Sequence, residues 1–429
     1  MPLKSGIFLL HSKRFYRMGT QEEERERRRS RGIHCMVVHA YYPAAETRVE
    51  RQAKALIDHG IEVDLICLRR RNEPAIANVD GVQVYRLPVR RHKGKGMGIQ
   101  LLEYLKFFFL AFIRLTALDR RRRYDIIQIH NLPDFLVFVA LIPKWTGATV
   151  MLDMHDLMPE FYAERFERPM NSLPLRLVRL QERVSCRFAD HLITVTELWR
   201  KALIDRGQPA GKISVVMNVA DDRIFHRNGV SDTQYHRHEN LQIIYHGTLV
   251  YRYGLDIALK AFALARRKNP KIFLTIHGKG EYSQTLINLA MELGLQDHVR
   301  FNLQFITTSE LANLIRQADM GIVPYRDGVF TGDILPTKMM EYAALGIPCI
   351  AARTRAIAAY FTEASVHFFT PGDVQDLARS ISTFACDRQK LIDLTRNLGE
   401  FTHRYNWRDQ QEIYLHIVKK MSGRNHHVN

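Results

Sequence analysis

The residue types best suited to chemistry are densest between Gly332 and Pro348. An apolar run from Met320 to Tyr325 reads as a buried strand, and a loop with Gly328 and Gly332 follows it. Proline suits the first turn of a helix and glycine its end, so Pro336-Thr337 and Gly346 bound a helix. Pro348 to Ala352 reads as the next strand. A helix start beyond the carboxyl end of a strand offers free N–H groups and a positive dipole end, which suits an anion such as a diphosphate. Lys338 adds a positive charge close to that helix start. Glu341, in the second turn, can accept hydrogen bonds from ribose hydroxyls. The same pattern also fits an ordinary strand–helix–strand unit with a surface glutamate.

Two other groups of residues sit at strand ends. Gly247, with Thr248 after it, follows the strand 241–245 and permits close backbone approach to a ligand, and Arg252 is within reach of a phosphate. The strand 272–276 ends at His277, Gly278, Lys279 and Gly280. In the first half His39, His130 and His155 all fall at strand ends, where loops build active sites, with Asp156 and Glu160 close by in sequence. Each histidine is equally compatible with a structural hydrogen-bonding role. A Gly-x-Gly-x-x-Gly fingerprint, a phosphate-binding loop and an Asp-x-Asp motif are all missing, which argues against a dinucleotide enzyme, a phosphate-loop kinase and a metal-held sugar nucleotide. No His/Cys spacing supports a metal site, so none is expected.

These residues need a scaffold. Strands at 33–39, 61–68, 125–130, 149–155, 191–195 and 213–217 alternate with helices at 47–59, 99–118, 136–145 and 172–188. Residues 79–87 read as a turn and a short strand. After a polar stretch at 226–240 the rhythm restarts, with strands at 241–245, 272–276 and 299–301, helices between them, and Thr307 to Glu310 as a capping box. Such alternation predicts two successive β/α domains with parallel sheets, and ligands bind beyond the carboxyl ends of such strands.

Composition limits the alternatives. The chain has 429 residues, 46% hydrophobic, and a formal net charge of +17. The excess is local: nine Lys/Arg against four Asp/Glu in residues 1–32, and fourteen against four in 69–123. A concentrated basic region points to an anionic partner, whether a phospholipid surface, a phosphorylated substrate or nucleic acid, or else is a solvated face. No recognition module supports nucleic acid. The helix at 99–118 carries an apolar arc of Leu101, Leu105, Phe108, Phe109 and Phe112 that either lies in a membrane interface or, as we expect, is partly buried on a sheet. Five scattered cysteines without a Cys-x-x-Cys pair suggest a reducing compartment. The apolar run Gly6 to Leu10 is too short for a signal-peptide core, and no segment is long enough to span a bilayer. The expectation is a cytoplasmic protein, either free or peripheral on the inner face of the cell membrane.

The stretch Leu335 to Pro348 resembles the signature of the group 1 (family 4) retaining glycosyltransferases of GT-B fold. Tyr245 to Leu249, Arg252 to Asp256, Ile276 to Gly278 and Ala318 to Tyr325 are similar to that family as well, as are Arg48-Val49 with Arg51 to Ala53, and Leu152 to Glu160. The resemblance covers residues 33–421. It implies two facing Rossmann-like domains with a cleft between them and a C-terminal helix crossing back to the first. The corresponding division is a disordered basic tail at 1–32, an acceptor-side domain at 33–225, a nucleotide-sugar domain at 226–404 and a return helix at 405–429.

The resemblance also implies an activity: transfer of a hexose-type sugar, with retention and without a metal or other cofactor, from a nucleotide-diphosphate sugar to a hydroxyl of a glycan or lipid-linked acceptor, in envelope or exopolysaccharide synthesis. His155 and Asp333 take catalytic places. Gly247, Thr248, Arg252, Gly278, Leu335, Thr337, Lys338 and Glu341 bind the donor, and His39, His130 and Asp156 lie on the acceptor side. The chain departs from the family pattern in three places. Asp333 stands where the family has glutamate, Thr248 where many members have arginine, and Tyr253 where they have lysine. A sugar-nucleotide epimerase, a phosphorylase and a non-catalytic sugar-nucleotide-binding scaffold are the alternatives.

Overall fold

Short runs rich in Val, Ile and Leu, apolar on both faces, are what a parallel sheet covered by helices demands. The computed structural model describes residues 32–43, 46–91, 97–227 and 240–423. The expected tail through Arg31, the basic loop at 92–96 and the polar stretch at 228–239 lie outside the described residues. The first sheet comprises β1 (Ile33–Val38), β2 (Glu62–Leu68), β3 (Ile76–Val79), β4 (Val82–Leu87), β5 (Ile126–His130), β6 (Thr149–Met154), β7 (His191–Thr194) and β8 (Ile213–Val215). Their order is β3-β4-β2-β1-β5-β6-β7-β8. The second sheet comprises β9 (Leu241–His246), β10 (Ile272–His277), β11 (Val299–Asn302), β12 (Met320–Val323), β13 (Cys349–Ala352) and β14 (His367–Phe369), in the order β11-β10-β9-β12-β13-β14. Its neighbouring strands pair in parallel, as in two Rossmann-like sheets.

The chain forms two compact units. Among the described residues, one holds those up to Met154, Val184–Leu192 and those from Tyr414 onward; the other holds those within His155–Arg183 and Ile193–Ile413. The last turns of the Trp407–Met421 helix therefore belong with the first unit, where the Thr149 hydroxyl donates to the Met421 carbonyl at 3.2 Å. Register in each sheet aligns strand ends. Val38 pairs with His130 in the first, and His246 with His277 in the second.

The structure extends one sequence reading and corrects two others. The turn and short strand read at 79–87 form the second half of a hairpin, whose first strand, β3, lies antiparallel to β4 and is too short for periodicity to show. The expected helix at 136–145 is a 3-10 helix, Asp134–Ala140, followed by a short α-helix, Leu141–Trp145. Pro143 has no N–H to give the Val139 carbonyl, so one regular ladder cannot run through both. The long helix is Met97–Arg122, and its buried stripe is Tyr104, Phe107, Ala111 and Leu115. Of the arc expected to be partly buried, Phe108 and Phe112 are half-buried, while Leu101, Leu105 and Phe109 are exposed. With apolar residues nearly all round the helix, periodicity alone does not select the inner face. Among the described residues no helix is long and apolar enough to cross a membrane.

Candidate functional site

The helix whose limits the sequence marks runs Thr337–Leu345, with Pro336 before it and Gly346 closing it. It directs Lys338 inward, where only 5% of the residue is exposed. The ammonium lies 2.7 Å from the Tyr325 hydroxyl and 3.4 Å from that of Tyr245. It also faces the rings of Tyr245, Tyr325 and Tyr253 at 4.6, 4.7 and 5.0 Å from their centroids. Tyr253 and Tyr325 stack at 4.4 Å. A cation taken out of water costs much free energy, and ring faces repay part of it. Burial pushes the Lys338 ammonium down to about 7, against the pull of the Glu341 carboxylate. The lysine is thus a poorly solvated donor whose hydrogen-bond partners are neutral, a setting in which a nearby anion gains strongly.

Backbone spacing keeps this corner open. Gly247 has φ of +122°, and a Cβ there would stand 3.3 Å from the Lys338 Nζ. Gly278 has φ of +133°, and a Cβ there would overlap the Gly247 carbonyl. The strand-end backbones of β9 and β10 therefore approach more closely than side-chain-bearing residues allow. Thr248 is exposed, and its carbonyl accepts from the Tyr245 hydroxyl at 3.0 Å.

One turn further along the helix, a Glu341 carboxylate oxygen lies 3.2 Å from the Nε2 of His246 at the end of β9. Burial first, then Lys338 and His277, hold His246 far below the usual histidine range, so it is neutral. Arg252 is half-buried, its guanidinium over the rings of Tyr253 at 5.2 Å and Phe161 at 5.4 Å. Both cations expected from the sequence therefore touch the Tyr253 ring. Asp333 accepts a hydrogen bond from Arg355 Nε at 2.8 Å.

In the second unit, Tyr253 and Tyr325 also line a cavity of about 170 Å³, together with Leu335, Pro336, Thr337, Asn218, His155 and Asp156. The helix start and the two strand-end residues expected to act thus share one space. Glu164 accepts from the backbone N–H groups of Phe330 and Thr331 and from the Thr331 hydroxyl, at 2.9–3.1 Å. This pins the loop that leads to Asp333.

The first-unit histidines have other surroundings. The His39 Nε2 lies 3.1 Å from Glu103, its ring edge-on to Tyr104 and Phe107, and burial lowers its pKa. His130 is fully buried, with Nδ1 3.5 Å from Asp153. Asp153 accepts from Arg48 at 2.9 and 3.1 Å and from Gln52 at 2.9 Å. Gln128 donates to Gln52 and Asp153, while its carbonyl accepts from Tyr414 at 2.7 Å. His34 lies 3.1 Å from that same oxygen.

Sequence reasoning passed over the tyrosine cage, His246, Glu164 and the role of Asp153. Tyr245, His246 and Tyr325 were discoverable by one rule, that residues at the carboxyl ends of parallel strands line ligand sites. Glu164 gave no local signal.

Comparison with known proteins gives two family matches: residues 44–218 to the Glycosyl transferase 4-like domain and residues 231–402 to Glycosyl transferases group 1. A chitobiosyldiphosphodolichol beta-mannosyltransferase of Debaryomyces hansenii is 22% identical over 332 residues, covering 72% of this chain and 70% of that protein. Among solved structures, sucrose-phosphate synthase of Thermosynechococcus elongatus superposes with a TM-score of 0.74 at 18% identity, covering 91% of this chain and 99% of that one. Anabaena HepE in complex with UDP-glucose gives 0.62 at 17% identity, covering 90% and 99%.

Proposed function

We propose that this chain, a glycosyltransferase of GT-B fold with a glycosyl transferase 4-like domain and a group 1 domain, moves a hexose-type sugar from a nucleotide-diphosphate sugar to a hydroxyl acceptor. In this reading the sugar is transferred with retention of configuration and without a bound metal. Residues 226–404 carry the donor, 33–225 the acceptor side, and 405–429 return to the first domain. The bound nucleotide in HepE favours a UDP- or other nucleotide-linked hexose.

One observation carries the reading: a buried lysine in a neutral tyrosine cage, beside a helix start and a glycine-thinned strand end. When the bond from the anomeric carbon to the diphosphate oxygen breaks, its electron pair stays on the diphosphate. Lys338, Arg252 and the N–H groups around Leu335 and Thr337 offset that growing charge, the task a metal performs elsewhere. Gly247, Thr248 and Gly278 let the donor approach the backbone. Glu341, supported by His246, receives the ribose hydroxyls. Asp333, oriented by Arg355, contacts the sugar, and His155 faces the reacting carbon. His39, His130 and Asp156 belong to the acceptor side, His39 and His130 as buried supports.

The acceptor is a glycan or a lipid-linked glycan in envelope or exopolysaccharide synthesis, and the reaction runs on the cytoplasmic side of a membrane. Exposed Leu101, Leu105 and Phe109 on the Met97–Arg122 helix, with Arg120 to Arg122 at its end, support contact with an anionic lipid surface. Thermal denaturation against a panel of nucleotide sugars tests the donor side, because a ligand that binds only the folded chain raises its melting temperature. At least one UDP- or GDP-hexose is expected to do so. A panel with no effect at millimolar concentration contradicts the reading.

A further inference from the structure

The helix Leu173–Phe188 has two apolar faces, and folding explains only one. Leu175, Ser185 and Cys186 are buried, as is Glu182, whose carboxylate accepts from Arg206 at 2.8 Å. On the opposite side Leu173, Leu177, Leu180 and Val184 recur at i, i+4, i+7 and i+11. They are 69, 58, 57 and 45% exposed. At 100° per residue these four fall within one narrow stripe. Along one edge of the stripe run Arg176, Arg179, Arg183 and Arg187, all exposed. The helix's one acidic residue is the buried Glu182.

We propose that this face docks on an anionic phospholipid surface. An aliphatic stripe with a row of arginines matches the boundary between acyl chains and headgroups, where leucines enter the apolar zone and guanidinium groups reach phosphates. The charge selects the occupant. A second copy packed helix against helix by two-fold symmetry would add four more arginines to this face and no carboxylate of the face to pair with them, and a nucleic-acid surface would leave the leucines in water. Lipid phosphate satisfies both halves of the pattern. The inference stands apart from the proposed transfer reaction, which uses none of these residues, and from the exposed residues of Met97–Arg122.

The test is co-sedimentation of the full chain with vesicles of phosphatidylcholine plus phosphatidylglycerol, beside phosphatidylcholine alone. The parent is expected to bind the anionic vesicles and not the neutral ones. Leu177→Glu with Leu180→Glu should lower the partition at least about tenfold, since each substitution withdraws an inserted side chain. Arg176→Gln, Arg179→Gln and Arg183→Gln should each cost roughly fivefold at low salt. Because all these positions are exposed, unchanged circular dichroism and melting temperature are expected. Phe109→Ser with Ile113→Ser, on the other helix, should leave a residual binding that Leu177→Glu removes. Leucine variants that bind like the parent overturn the proposal, as does equal binding to neutral vesicles. A parent that ignores vesicles but forms a dimer broken by Leu177→Glu overturns it in favour of self-association.

Discussion

The Lys338 ammonium lies 2.7 Å from the Tyr325 hydroxyl and 4.7 Å from the centre of the same ring, so one tyrosine both accepts its hydrogen bond and screens it from water. A lysine held this way is stabilised by neutral groups alone at close range, and an incoming diphosphate supplies the charge it lacks.

Removing that charge should show in turnover. Lys338→Ala is expected to lower kcat by roughly a hundredfold to a thousandfold, the range for loss of one well-placed donor to a developing anion. Arg252→Ala, at a half-exposed position, should cost less, about tenfold. Steady-state kinetics on both variants decides the matter, and unchanged kcat in both removes these residues from the leaving-group site.

The same lysine predicts a pH dependence of stability. Its folded-state pKa is lowered from 10.5 to about 7, so between those values the unfolded chain binds the extra proton. Stability from this group therefore rises as pH increases from 7 toward 10, by an amount on the order of a few kcal/mol. Lys338→Met should flatten the rise. Urea midpoints at pH 7 and pH 9 compare the two proteins, and a parallel shift in both denies the lysine this role.

Glu341 is expected to act on binding. Glu341→Gln should raise the donor KM about tenfold to a hundredfold, the loss of charge-assisted hydrogen bonds, with a smaller change in kcat. His246→Phe, which removes the ring nitrogen 3.2 Å from that carboxylate, should shift KM in the same direction by less. A variant that loses kcat alone would move Glu341 from ribose binding to the reacting sugar.

In the first unit, Asp153→Ala leaves buried Arg48 without its carboxylate. Breaking one side of a buried pair costs about 3–5 kcal/mol, or roughly 10 °C in melting temperature for a unit of this size. Scanning calorimetry should show it, with Tyr414→Phe lowering the same transition by less. A melting temperature equal to the parent's would mean the network contributes nothing net.

Much of this was legible in the chain because it is encoded locally. Pro336 and Gly346 bound their helix, and Thr307 caps the Thr308–Arg316 helix through Glu310 as its spacing predicts. The Asp153 network was not legible, because Arg48 and Gln52 on one helix, Gln128 and Tyr414 come from three segments far apart and meet only after the sheet forms. The cage escaped notice for a similar reason. Tyr253 reads as a missing cation in sequence, and only packing shows it stacked on Tyr325 beside a lysine from another element. The exposed stripe of Leu173–Phe188 was obscured because amphipathic spacing is ordinarily assigned to the core.

Release of nucleoside diphosphate from a panel of UDP-, GDP- and ADP-hexoses, followed with and without a chelator, tests the central claim most directly. The proposed transfer predicts slow release from at least one donor, undiminished by the chelator, accelerated by a suitable acceptor, and lowered roughly a hundredfold or more in Lys338→Ala. No release from any donor by the folded parent, or release that the chelator stops, would contradict it.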